Sequence, residues 1–258
     1  MKPKPKKKKT PKKSVARKPP SDFVSLVAHQ LRAPLTSLRW FVKMLMEGEA
    51  GKLNRNQKIL VSNVYQLVGD MVARINFLLQ IGRVESGRLE IKPEFLNLLS
   101  LTQDILEILK PQTKQKELKV VIQTKPAILT NLMVDKDIIW NVIQNLLANA
   151  IAYSSNKGRI AIYIIYNAKV VKYLVRDYGI GIPAKEQPKI FNKFYRARNA
   201  IKFLPVGTGL GLALTKSLVG CWGGKIWFKS KEGKGSTFGF TIPLGGMRAK
   251  TGEVTLNV

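Results

Sequence analysis

Apolar residues recur at Phe23, Val27, Leu31, Pro34, Leu38, Phe41 and Leu45, in steps of four and three. That heptad spacing keeps one seam of an α-helix apolar. Ser21 and Asp22, just after Pro19-Pro20, are side chains that suit a helix N-cap. Glu47-Gly48-Glu49-Ala50-Gly51 breaks the period, and a second seam follows at Leu60, Val64, Leu67, Met71, Ile75 and Leu78. The pattern predicts two long helices joined by a short glycine turn, an antiparallel hairpin. One hairpin has too little surface to bury both seams. Pairing of two chains into a four-helix bundle is the expected solution, and burial on the following domain is the alternative.

From about Gly87 the period changes. Phe95 to Lys110 reads as an amphipathic helix, Leu118 to Gln123 as a strand, and Asp135 to Ala152 as a helix. Arg159–Tyr166 and Val170–Arg176 read as paired strands around a turn at Asn167-Ala168. Residues 178–208 look irregular. Gly209 to Cys221 reads as a helix, and Lys225–Ser230 with Ser236–Ile242 as a closing hairpin. The fold class expected is α+β: a helical-hairpin dimerisation domain at 21–86, then an α/β two-layer sandwich at 87–244. Residues 1–20 and 245–258 are expected to be tails.

Composition adds a partner question. The chain carries +28, and nine Lys and one Arg without an acid place +10 of it in residues 1–20, leaving +18 elsewhere. A Lys/Pro-rich arm cannot bury apolar surface and should be disordered. It suits an anionic membrane surface or nucleic acid, and equally a solubilising leader. No stretch offers eighteen consecutive apolar residues, so no transmembrane segment is expected, nor an apolar leader. With a single cysteine, Cys221, the expected location is cytoplasmic.

Three short segments carry the chemistry. Asn145 and Asn149 stand four apart, hence on one helix face, and an amide oxygen is a hard neutral ligand suited to Mg²⁺ already balanced by phosphates. Asp177-Tyr178-Gly179-Ile180-Gly181 follows a strand, placing a carboxylate where it can accept from an exocyclic amine. Gly207-Thr208-Gly209-Leu210-Gly211 opens a helix, where free backbone amides favour phosphate.

In order, NLLANA, DYGIGIP, FNKFYRA and GTGLGLAL resemble the N, G1, F and G2 boxes of sensor histidine kinases, and AHQLRAPLTSL at 28–38 their H box. The resemblance covers residues 21–244. It implies ATP and Mg²⁺ as cofactors, a homodimer, and a response regulator receiver domain as partner. His29, the only histidine, would take the phosphoryl group and pass it to an aspartate of that regulator. Asn149 would coordinate Mg²⁺ with Asn145 in support, and Tyr153 would line the pocket. Asp177 would bind the adenine amino group, with Gly179 and Gly181 shaping its surroundings. Phe191 and Phe194 would anchor a lid, and Arg196 would reach the γ-phosphate. Gly207, Thr208, Gly209, Leu210 and Gly211 would give the hinge and phosphate contacts.

Three positions depart from the family. Gln30 stands where an acid often follows the histidine; it can orient the imidazole but cannot take its proton. Ala33 replaces the Thr or Asn linked to phosphatase activity, so kinase activity without strong phosphatase activity is expected. Ala152 replaces a Lys beside the phosphates, a charge that Lys193, Arg198 or Lys202 could supply. Two further readings stay open: an ATP-hydrolysing relative of the gyrase or chaperone type, and a catalytically weak nucleotide-binding dimeric scaffold. The first is disfavoured because such relatives carry a general-base Glu where this chain has Asn145.

Overall fold

The computed structural model describes residues 21–126 and 131–251, without the side chains of residues 21–29, 70, 73, 78 and 85. The basic arm at 1–20, the His29 imidazole and the C-terminal end from 252 therefore lie outside the described residues.

Helix α1 covers Ser21–Glu47 with Pro34 inside it, and α2 covers Arg55–Glu85. A capping box starts α2: Gln57 N donates to the Asn54 side chain and Asn54 N to the Gln57 side chain, both at 2.9 Å. Within one chain the two helices meet along a narrow line, where Leu35, Ile75 and Leu79 are buried with Val72 against them. The heptad seam is mostly elsewhere. Leu31, Leu38, Phe41 and Leu45 of α1 and Leu60, Val64, Leu67 and Met71 of α2 remain 36% to 64% exposed. Two helices touch on one stripe only, so the hairpin keeps a second apolar stripe uncovered.

The second unit comprises β1 (Glu94–Leu96), α3 (Leu98–Ile108), α4 (Lys110–Gln115), β2 (Lys119–Lys125), β3 (Leu132–Val134) and α5 (Lys136–Tyr153). These are followed by β4 (Arg159–Tyr166), β5 (Val170–Asp177), α6 (Arg198–Phe203), α7 (Gly211–Cys221), β6 (Ile226–Lys231) and β7 (Gly235–Pro243). Five strands form one sheet in the order β2-β4-β5-β7-β6, with β2 and β4 parallel and the other pairs antiparallel. Strands β1 and β3 make a small antiparallel pair.

Alternation along the strands sorts side chains by face. Ile160, Ile162, Ile164, Val171, Tyr173, Val175, Phe240 and Ile242 pack beneath Ile105 of α3, Ile143 of α5 and Val219 of α7 in one core. The result is two layers, helices on one side of the sheet. The fully buried Tyr173 hydroxyl is paired with Thr102 Oγ1 at 3.0 Å, which avoids an unsatisfied polar group. Burial pushes the Tyr173 phenol well above its ordinary range.

Some boundaries differ from expectation for local reasons. The helix expected from Phe95 starts at Leu98, because Asn97 caps it by accepting from Leu99 N and Ser100 N. Pro111, which has no N–H, splits it near Leu109 into α3 and α4. The segment from 245, expected as tail, stays packed to 250: Met247 is 5% exposed and its N–H donates to Met133 O at 2.7 Å. Lys250 and Ile91 exchange backbone hydrogen bonds. Among the described residues no helix is long and apolar enough to cross a membrane.

Candidate nucleotide-binding site

Helix α5 is fixed at its start by Asp135, whose carboxylate accepts from Ile138 N at 3.0 Å and Lys92 N at 2.7 Å. Four residues apart on this helix, Asn145 and Asn149 share a face, and Asn145 meets α7. Asn145 Nδ2 donates to Thr215 Oγ1 at 2.6 Å, and Thr215 donates in turn to Gly211 O. A Cβ on Gly211 would lie 2.3 Å from Asn145 Oδ1, so the start of α7 rests directly on this amide. Asn145 thus positions the glycine-rich turn.

Asp177 ends β5 at 6% exposure. Its Oδ1 accepts from Gly179 N at 3.0 Å and Ser236 N at 3.2 Å. Burial raises the carboxyl's pKa, and these amides pull it partly back. The turn after it has no room for side chains. Gly181 has φ +61°, and a Cβ there would meet Lys231 O at 2.1 Å. At Gly179 a Cβ would come within 2.0 Å of Tyr153 O, so the turn lies against the end of α5.

These elements enclose a cavity of about 370 Å³, within the size range of small-molecule sites. Of the residues singled out by sequence, Asn145, Asn149, Tyr153, Asp177, Gly181, Arg196, Gly207, Thr208, Gly209 and Gly211 line it. Gly179 and Leu210 do not. Leu210 is 1% exposed and packs with Phe77 and Ile81 of α2 and Ala213 of α7, joining the hairpin to the second unit. The glycines on either side of it line the cavity, while the Leu210 side chain is taken up by the contact with α2. His29 belongs to α1, and Gln30 and Ala33 beside it are exposed.

The segment between Ile182 and Gly207, expected as a lid, is held by contacts that no spacing in the sequence announces. Glu186 accepts from Tyr195 Oη at 2.9 Å and Arg198 N at 2.8 Å, and the Arg198 amide leads in holding its carboxyl below the usual range. Asn199 Nδ2 donates to Gly181 O at 2.9 Å, tying α6 to the Asp177 turn, while its Oδ1 is buried without a partner. Arg196 donates to Pro205 O at 2.8 Å, Ala200 O at 3.3 Å and Leu204 O. Its guanidinium stitches the lid together, and Nε is buried without a partner at the cavity. Phe191 packs on Phe228, whereas the Phe194 side chain, expected as a second anchor, is 64% exposed.

The charge missing at Ala152 is not restored by the lid: Arg196 lines the cavity, and Lys193, Arg198 and Lys202 do not. Lys116 approaches Ala152 instead. Its Nζ donates to the carbonyls of Ile151, Ala152 and Ser154 at 3.0, 2.6 and 3.0 Å, and so caps the C-terminal end of α5. The same ammonium lies 5.5 Å from the Phe203 ring centroid in α6.

A helical hairpin followed by a two-layer domain with a glycine-turned cavity defines a two-domain ATPase-type core. Comparison with known proteins agrees with this class. Residues 134–246 match the histidine kinase-, DNA gyrase B- and HSP90-like ATPase family, and residues 21–87 the His Kinase A (phospho-acceptor) domain. The sensor histidine kinase WalK of Bacillus subtilis is 33% identical over 224 residues, covering 86% of this chain and 36% of WalK. The chain therefore spans about a third of that relative's length. Full-length ShkA, solved in complex with AMPPNP, superposes with TM-score 0.73 at 20% identity, over 90% of this chain and 47% of ShkA. ThkA, solved in complex with response regulator protein TrrA, gives 0.56 at 22% identity, over 86% of this chain and 61% of ThkA. The chain belongs to the histidine kinase family, as a phospho-acceptor hairpin joined to an ATPase domain.

Proposed function

We propose that this chain is an ATP-dependent protein-histidine kinase of a two-component system. The observation that carries the reading is the cavity itself, which gathers Asn149, Asp177 and the amides opening α7 in the chain that bears His29. Asp177 accepts from the adenine amino group; the start of α7 and Thr208 receive the phosphates. Among the described residues no trio of His, Cys, Asp or Glu is placed to hold a metal alone. A Mg²⁺ ion here would arrive with the phosphates and take the neutral Asn149 oxygen, which fits this donor set. Bound Mg²⁺ offsets charge on the phosphates.

In the reaction the imidazole of His29 attacks the γ-phosphorus. An N–P bond forms as the P–O bond to ADP breaks, and the imidazole proton leaves to solvent, since Gln30 cannot take it. The phosphoramidate then passes to an aspartate of a response regulator receiver domain, the kind of partner with which ThkA was solved. The exposed seam of α1 and α2 supports pairing with a second copy into a four-helix bundle. A cytoplasmic setting fits a regulator as partner. The basic arm at 1–20 adds an anionic surface as a further contact. With Gln30 and Ala33 beside His29, phosphatase activity should be weak, and rapid dephosphorylation of a partner regulator would refute that.

Hydrolysis is disfavoured because the Asn145 amide is fixed on Thr215 and has no basicity. The weak-scaffold reading draws on Arg196, whose guanidinium serves lid carbonyls and must release them to reach a phosphate. One test separates all three. On incubation with Mg²⁺ and γ-labelled ATP, the protein should gain an acid-labile, alkali-stable label that His29→Gln abolishes. Phosphate release without label supports hydrolysis, and neither supports the scaffold.

A further inference from the structure

The helices cover one face of the five-stranded sheet, and the other face is open. Register fixes what it presents. Outward positions carry Lys119 and Lys125 on β2, Arg159 on β4, Lys172 and Arg176 on β5, and Lys229 on β6, all exposed. No outward position of the five strands carries an acid. Side chains of one sign across a whole sheet face repel one another, which is a cost to the fold unless an anion spreads over them.

Aromatic rings lie between the charges. One cross-strand row runs Gln123–Tyr163–Leu174–Gly239–Trp227. Trp227 is half-buried because its indole lies flat across the neighbouring strand: a Cβ on Gly239 would come within 2.7 Å of Trp227 Cζ2. Only the absence of a side chain at Gly239 permits this, and it leaves the outer face of the indole as a flat platform. Tyr163, also half-buried, stands three strands away, about 14 Å. The next row, about 7 Å along the strands, holds Arg176–Thr237–Lys229 at a shallow cleft that Lys234 also lines. Asp177 and Ser236 line this cleft as well as the nucleotide cavity.

We propose that this open face binds single-stranded nucleic acid, with phosphates on Arg176 and Lys229 and a base stacked on Trp227. Basic side chains supply sequence-independent affinity, and a ring lying flat offers a π-face to any base. A membrane surface would call for rings that project into the acyl boundary. Here Trp227 is pressed against the strand, so it can be stacked upon but cannot insert. The inference rests on the sheet face alone and stands apart from the kinase reading.

The test uses the full chain and a fluorescent oligothymidylate, read by anisotropy across a salt series. Trp227→Ala should weaken binding on the order of tenfold, and Trp227→Phe should retain most of it. Paired Arg176→Gln and Lys229→Gln should lower the slope of log affinity against log salt by about 1.4. Affinity of each variant for an ATP analogue should match the parent, which reports an intact fold. If Trp227→Ala perturbs that control, the exposed charge pair alone decides. Unchanged oligonucleotide binding in the face variants would assign all binding to the basic arm and overturn the proposal. So would loss of binding to phosphatidylserine vesicles while oligonucleotide affinity holds.

Discussion

Replacing Asp177 with Asn keeps the shape of a nearly buried side chain and removes its charge. The remaining oxygen can still accept from Gly179 N and Ser236 N, so the turn has no reason to move. What changes is the second position, where the proposed acceptor for the adenine amino group becomes a donor. A hydrogen bond to a charged partner contributes about 1.5–3 kcal/mol, so ATP affinity should fall roughly 10- to 150-fold. Stability should move the other way. A carboxyl whose pKa is raised on folding favours the fold below its unfolded value, and that advantage is lost as pH rises through the folded value. At neutral pH the buried charge is therefore a cost, and Asp177→Asn should hold or raise Tm. In the parent, ATP affinity should decline as pH falls into the raised titration range, because a protonated carboxyl cannot accept at that oxygen; the variant should be flat there. Calorimetric titration with ATP and a thermal melt read both quantities. A variant that loses Tm together with affinity would mean Asp177 holds the turn, and one that binds ATP as the parent does would remove it from the adenine site.

Leu60→Glu combined with Leu67→Glu acts on the exposed seam, at residues 64% and 63% exposed, and should shift the protein from dimer to monomer in light scattering while the ATP-analogue affinity holds. An unchanged mass would show that the seam is not the interface. Lys116→Ala leaves the last carbonyls of α5 uncapped; a cation there contributes about 1 kcal/mol, so Tm should drop by about 2–4 °C. No change in Tm would mean those carbonyls are satisfied by water. Glu186, held below the usual carboxylate range, supports the lid above its unfolded pKa and loses that support as pH falls through its folded value. The Arg198 amide resonance should follow that titration in NMR spectra and lose the dependence in Glu186→Gln; an amide that ignores it would dissociate the pair.

The hairpin and the order of the main helices and strands along the chain were legible because period-seven and period-two patterns are local. The glycine turns were legible too, since Gly181 and Gly211 sit where no Cβ fits. The lid was not. Its order depends on Glu186, Asn199 and Arg196 meeting partners 9 to 18 residues away, and no spacing rule announces such pairs. The packing of the Leu210 side chain on α2 was not legible, because a motif names a turn without saying which way each side chain faces. Lys116 escaped notice since its partners are backbone carbonyls 35 to 38 residues on, silent in any motif. The basic sheet face was visible only as net charge. Register was needed to gather Lys229, Arg176 and Trp227 on one side.

In the proposed reaction the cavity delivers the γ-phosphoryl group of ATP to His29. Peptide mass spectrometry under neutral conditions, after incubation with Mg-ATP, addresses it directly. A phosphoryl group should appear on the peptide containing His29, and none in Asn149→Ala, which lacks the proposed Mg²⁺ ligand. Phosphorylation confined to another residue, or undiminished modification of His29 in Asn149→Ala, would contradict it.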